Sequence, residues 1–150
     1  MRLVIQRVSE AYVKVDGEIK GEIGRGLMIL VGVENGDTKV EAEWLAAKAA
    51  KMRIFPDENE VMNKSVMDAG GEILAISQFT LTASTNKGNR PSYIRAAKGE
   101  EAKELYDYFC ACLKSITGKN IEKGVFGADM KVSLINDGPV TIIIDSRLRE

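Results

Sequence analysis

Histidine is absent from the 150 residues. With it go the usual general base, the commonest metal ligand and the Ser-His pair of most hydrolases. Cysteine is scarce, with Cys110 and Cys112 the only two. They stand two apart on a helical stretch, so they point to different sides and cannot bridge one another there. Both read as small apolar residues of a helix. No Cys-rich or carboxylate-rich cluster shows metal-ligand spacing, so no metal and no other cofactor is expected. Long apolar runs are missing too. The longest, residues 27–33, falls far short of the ~20 residues that cross a bilayer as a helix. The first residues alternate apolar and polar, without the charged-then-apolar layout of a secretion signal. A cytoplasmic protein is the expectation.

An excess of one charge is missing as well: the net charge is −1. That value does not advertise nucleic-acid binding, but the distribution is uneven. Residues 84–98 carry Lys87, Arg90, Arg95 and Lys98 and no acid. Such a stretch is either a solvated basic loop or a local patch for a few phosphates.

What is present suits a globular chain: 45% apolar and 29% charged residues, and a length that one domain over 1–150 accounts for. Residues 2–9 and 11–15 alternate as strands, and Asp16-Gly17 marks a hairpin into a return strand over 19–23. Gly24-Arg25-Gly26 turns the chain into Leu27-Met28-Ile29-Leu30-Val31, an apolar run typical of a central strand. Thr38 with Glu41 three residues on is a capping box. The helix it opens has one apolar line of Leu45, Ala49 and Met52 and a neighbouring line of Val40, Trp44 and Ala47. Trp44 reads as core. Arg53-Ile54-Phe55 reads as a short strand, and residues 61–69 as loop with a short turn. A second helix starts near Glu100, with Ala102, Leu105, Phe109, Leu113 and Ile116 as its stripe and Gly118 to end it. Val125-Phe126 reads as a short strand, residues 130–135 as another, Asp137-Gly138 as a turn, and residues 140–144 as a final strand. Many strands and two helices predict an α+β fold: a curved or barrel-like, mainly antiparallel sheet with the helices packed outside.

One stretch departs from simple packing. Gly70-Gly71 leads into Ile73-Leu74-Ala75-Ile76, which reads as a strand buried on both faces. Ser77, Gln78 and Thr80 then place three polar side chains around Phe79, in a strand expected to run over residues 77–81. Unpaired and buried, each would cost a few kcal/mol. They either close the strand with local partners or line a pocket. The polar loop of residues 84–91 follows as a rim.

Ser77-Gln78-Phe79-Thr80-Leu81 and Asn136-Asp137-Gly138-Pro139-Val140-Thr141 together closely resemble the two signature motifs of D-aminoacyl-tRNA deacylases. The resemblance extends to Ile5-Gln6-Arg7-Val8, Gly21-Glu22-Ile23-Gly24, Arg53-Ile54-Phe55 and Leu105-Tyr106-Asp107-Tyr108-Phe109, hence to essentially the whole chain. It implies hydrolysis of the ester between a D-amino acid and the terminal ribose of tRNA, by a homodimer. It also implies that Ser77, Gln78, Phe79 and Thr80 surround the ester and the terminal adenosine. Met130 joins them as a pocket wall, or else is core. Gly138 and Pro139 are implied to form a cis peptide whose carbonyls take the substrate ammonium in the partner's pocket, rejecting L-residues by clash. Arg7 is implied to steady that motif, or else is a surface charge.

Two attackers remain open. Thr80 as nucleophile needs a base; there is no histidine, and no lysine stands in either motif. Water activated with the help of the ribose 2′-hydroxyl needs only positioning. Two rival readings of the whole chain also stand: a non-catalytic protein that binds the tRNA acceptor end, and a relative with a trans Gly-Pro bond and relaxed rejection of L-substrates.

Overall fold

Strand β1 (Arg2–Val15) is the axis of the sheet in the computed structural model, which describes residues 1–149. One edge of β1 pairs antiparallel with β8 (Lys131–Asp145) along nearly its whole length. The other edge pairs antiparallel with β3 (Gly26–Gly32) and then with β2 (Glu18–Ile23). Beyond β3 lie β6 (Glu72–Ser77) and β7 (Glu122–Lys123), each parallel to its neighbour. The ends of this path, β2 and β7, come back together. The Glu22 N–H donates to the Glu122 carboxylate at 3.3 Å, and a Cβ on Gly21 would sit 2.8 Å from Lys123 O. The result is a nearly closed, mainly antiparallel barrel of the α+β class. Helices α1 (Lys39–Lys51) and α2 (Gly99–Thr117) pack against each other outside it, and a small hairpin, β4 (Phe55–Pro56) with β5 (Met62–Lys64), lies apart from the main sheet.

Residue alternation sorts the core into two layers. Leu27, Ile29 and Val31 of β3 and Ile73 and Ala75 of β6 face the helices, while Met28, Leu74 and Ile76 face the barrel interior. Both strands are covered on both sides, which is why they read as unbroken apolar runs. β1 changes layers along its length. Leu3 and Ile5 belong to the helix side, whereas Val8, Ala11 and Val13 belong to the interior. Val8 and Ala11, three apart, cannot share a face in unbroken alternation. The ladder to β8 slips between Val8 and Glu10, a bulge that re-phases the strand.

The local signals act as their chemistry suggests. Glu41 accepts from the Thr38 N–H at 2.6 Å, and the Thr38 hydroxyl accepts from the Val40 N–H at 3.2 Å. Gly118 ends α2 in the left-handed region at φ 70°. Tyr106, on the buried side of α2, donates to Ala75 O at 2.8 Å and ties the helix to β6; burial pushes its phenol pKa up.

Several elements differ from the sequence reading. Residues 2–15 make one strand rather than two. Arg53 and Ile54 precede the short strand, which is Phe55–Pro56, and residues 62–64 pair with it instead of staying loop. Val125 and Phe126 lie in a turn closed by the Ala128 N–H on Val125 O at 3.1 Å; the free edge of β6 is taken by Glu122 and Lys123. Residues 131–145 are one strand, and Asp137-Gly138 does not reverse the chain. Val40 is 59% exposed, because α1 buries the line of Ala42, Leu45, Ala46 and Ala49 instead. Trp44 is half-buried against that core.

Charge locks the start of β1 to the end of β8. Arg2 grips the Asp145 carboxylate through Nε at 3.0 Å and Nη2 at 2.9 Å. Burial draws the Asp145 pKa upward, but the Arg147 amide and the Arg2 guanidinium outweigh it and hold it below the ordinary value. A depressed carboxylate contributes stability above its unfolded value of about 3.9 and loses it as pH falls through the lower folded value. Asp145→Asn is therefore expected to lower the urea midpoint at neutral pH. The gap to the parent protein should close as pH falls below about 4. A gap that persists unchanged down to about pH 2.5 would show that the carboxylate is not its source.

Candidate active site

Strand β6 delivers the polar run. Its last ladder bond is the Gln78 N–H on Val31 O at 2.8 Å, and β3 ends one residue later at Gly32. With no ladder partner left, the chain curls into a 3₁₀ turn over Phe79–Thr82. The strand expected over residues 77–81 thus stops at Ser77. The Thr82 hydroxyl closes the turn on Phe79 O at 2.8 Å. Gly32 leaves room for it, since a Cβ there would lie 2.9 Å from Leu81 Cβ. Arg2 holds it from the other side, Nη1 donating to Leu81 O at 2.8 Å. Gly32 and Arg2 shape the site without belonging to either motif, and sequence reasoning missed both. The only signal for Arg2 was a charge opening an apolar strand.

Ser77, Gln78 and Phe79 form one wall of a cleft of about 270 Å³, with Phe126 and Met130 opposite. Met130 lines the cleft and packs on the barrel's inner cluster. Thr80 stands beside them, its hydroxyl accepting from the Gln78 side-chain amide. Phe79 is 56% exposed and meets the Tyr93 ring edge-on at 5.1 Å. Asp129, the one acid lining the cleft among the described residues, is clasped by Lys131 at 2.8 and 3.0 Å. A larger, shallower groove of about 710 Å³ runs along the β1–β2 hairpin by Glu10, Tyr12, Lys14 and Glu22. It gathers none of the candidate site residues, so the smaller cleft is the candidate.

The second motif is extruded from the ladder. Gln6 pairs with Thr141 and Val8 with Asn136, so five steps along β8 face two along β1. The surplus forms an exposed loop at Asp137, Gly138 and Pro139, with a cis peptide between the last two. Asn136 closes its neck: Oδ1 accepts from the Val140 N–H and Nδ2 donates to Thr141 Oγ1, both at 2.9 Å. Arg7 braces it, Nε donating to Asp137 O at 2.9 Å and Nη1 to Ile54 O at 2.6 Å. Gly138 has φ 139°, and a Cβ there would lie 2.8 Å from Val140 Cγ2 and 2.9 Å from Arg7 Nη2.

The two motifs do not share a pocket within one chain. Ser77 is in register with Val31, Val31 with Leu3, and Leu3 with Ile144. Three strand spacings, roughly 14 Å along the sheet, separate β6 from β8. The loop opens farther along β1, at the level of Arg7.

The basic residues of 84–98, Lys87, Arg90, Arg95 and Lys98, are all exposed. Arg95 has structural work: it donates to Thr82 O at 3.3 Å and Ala83 O at 3.2 Å, and lies 4.0 Å from Glu34. Ser84 and Ser92 exchange backbone hydrogen bonds at 2.9 Å, which closes the base of the rim loop.

Arg7→Ala leaves two carbonyls without a charged donor. Such bonds contribute about 1.5–3 kcal/mol each, so the variant should unfold at visibly lower urea, with faster amide exchange at residues 137–140. Arg7→Lys, which lacks the forked geometry, should recover little of this. Parental exchange rates at Val140 in Arg7→Ala would refute the bracing role.

The model of the D-Tyr-tRNA(Tyr) deacylase family matches residues 4–145. D-aminoacyl-tRNA deacylases from Parabacteroides distasonis and Chromobacterium violaceum are 57% and 58% identical to this chain, covering 100% and 98% of each partner. Among solved structures, a c-Myc DNA unwinding element binding protein superposes with TM-score 0.90 at 42% identity, over 97% of this chain and 98% of that one. A probable eukaryotic D-amino acid tRNA deacylase shares the fold, with TM-score 0.80 at 16% identity over 95% and 97%. A family match over nearly all described residues, with full-length relatives of more than half identity, shows that this chain belongs to the D-Tyr-tRNA(Tyr) deacylase family of hydrolases.

Proposed function

We propose that this chain removes D-amino acids from tRNA as a homodimer, each Gly138–Pro139 loop reaching into the cleft of the partner. The observation that carries this is the separation of the two motifs. The cleft has polar groups and an aromatic rim, while the extruded loop is an exposed, braced piece of main chain. Joined across a two-fold axis, each completes the other. A residue with its side chain on the L side strikes the loop backbone, and a D-residue or glycine does not. Glycine carried on tRNA(Ala) is thus a second substrate. Working on charged tRNA implies a cytoplasmic enzyme.

The attack is assigned to water, assisted by the ribose 2′-hydroxyl. A threonine nucleophile needs a proton acceptor. Thr80 instead receives a hydrogen bond from the Gln78 amide, which is no base. Gln78 and Thr80 serve as a polar pair that orients water and ribose. The opening amides of the 3₁₀ turn, Phe79 and Thr80, have no carbonyl within the turn and are suited to the developing oxyanion. Lys87, Arg90 and Lys98 supply phosphate contacts at the rim, with Arg95 holding the rim in place.

The test is turnover. Substoichiometric protein should exhaust D-Tyr-tRNA and leave L-Tyr-tRNA intact; a carrier of charged tRNA would bind either and turn over neither. On a 2′-deoxy terminal adenosine the rate should fall by about 100-fold or more, the scale of a lost acid–base group. Thr80→Ala should keep measurable activity on the normal substrate. Full activity on the deoxy substrate, with none in Thr80→Ala, would make Thr80 the nucleophile.

A further inference from the structure

A second cationic surface lies at the far end of α1, away from the rim loop. Trp44, Lys48, Lys51, Met52 and Arg53 line a groove of about 490 Å³. Lys48 Nζ sits 5.5 Å from the Trp44 ring centroid, and Arg149 Cζ lies 5.3 Å from it. Lys48, Lys51, Arg53 and Arg149 are all exposed, and none has an ion-pair partner among the described residues. The acids of α1 are occupied elsewhere: Glu41 by the Thr38 cap and Glu43 by the Tyr108 hydroxyl at 2.6 Å. Asp68 is one acid that reaches this face; the Ser65 amide and hydroxyl, and then Lys64 and Arg53, hold its carboxyl below the ordinary value.

The negative end of the helix dipole accounts for Lys48 and Lys51 in the last turn. It does not account for Arg53 or Arg149, which lie outside the helix, nor for a half-exposed indole between two cations. Position adds the second observation. Arg53 adjoins Ile54, whose carbonyl accepts from Arg7, and Arg7 braces the Gly138–Pro139 loop. The groove is thus tied through Ile54 and Arg7 to that loop.

We infer that Trp44, Lys48, Lys51 and Arg53 form a second RNA contact, binding the backbone and an unpaired base of the tRNA whose aminoacyl end meets the Gly138–Pro139 loop. This rests on the deacylase reading above. Cations spaced along a groove follow a phosphate backbone, and an indole face accepts a base without regard to sequence.

Trp44 is the only tryptophan, so its emission reports on this groove directly. Uncharged tRNA should change the emission of the intact protein, a readout that needs no catalysis. In Lys48→Glu/Lys51→Glu, tRNA affinity should fall about tenfold or more, and the slope of log affinity against log salt should drop by about 2. With D-Tyr-tRNA the same variant should show raised KM and unchanged kcat. Hydrolysis of 3′-O-D-tyrosyl-adenosine, which has no phosphate, should match the parent protein. Unaltered Trp44 emission with tRNA, together with parental affinity and salt slope in the double variant, would overturn the inference. Equal losses on tRNA and on the adenosine ester would overturn it too, by tracing the effect to the cleft. A parent protein that binds tRNA through this groove but hydrolyses neither ester would sink the deacylase reading and leave the RNA contact standing.

Discussion

The mismatch between β1 and β8 is the constraint on which the rest of the molecule depends. A ladder that matched residue for residue would leave no loop, and Gly138 and Pro139 would lie flat in an edge strand. The surplus residues are forced outward, and Asn136, Thr141 and Arg7 turn that excess into one defined shape. Gly138 is needed for two reasons: its positive φ, and the closeness of Val140 and Arg7, which a Cβ would strike. Arg7 also reaches Ile54, so the loop is referenced to the segment that follows α1 as well as to its own strand.

The cleft solves the opposite problem. Its polar groups come where a strand runs out of partners. Once β3 ends at Gly32, residues 79–82 coil locally and bring Gln78 and Thr80 together. Arg2 joins this turn to Asp145 at the end of β8, so the same side chain that locks the sheet also fixes the turn. The chain places these groups in a site without histidine.

Much of the fold was legible because its signals are local. A capping box needs only Thr38 and Glu41, and a helix stop needs only Gly118. Strands β3 and β6 showed as apolar runs because each is buried on both faces. The misreadings share one cause. Whether residues 78–81 continue a strand depends on where β3 stops, and whether Val125-Phe126 or Glu122-Lys123 pairs with β6 depends on where the free edge lies. Val40 looked apolar enough for the core, yet the line of small residues through Ala42, Ala46 and Ala49 lets α1 pack on its other side. None of these choices is encoded within a few residues.

The sequence by itself determined the kinds of groups available: no imidazole, a polar run after a buried strand, a Gly-Pro pair, and a neutral chain with its cations clustered. It also determined the family, because two motifs carry that signature. Only the tertiary structure decided which groups meet. Thr80 turns toward Gln78, Arg7 reaches Asp137 and Ile54, and the two motifs stand apart within the chain. The physical reason is that side-chain chemistry belongs to each residue alone, whereas register, strand ends and curvature are properties of pairs of strands distant in the chain.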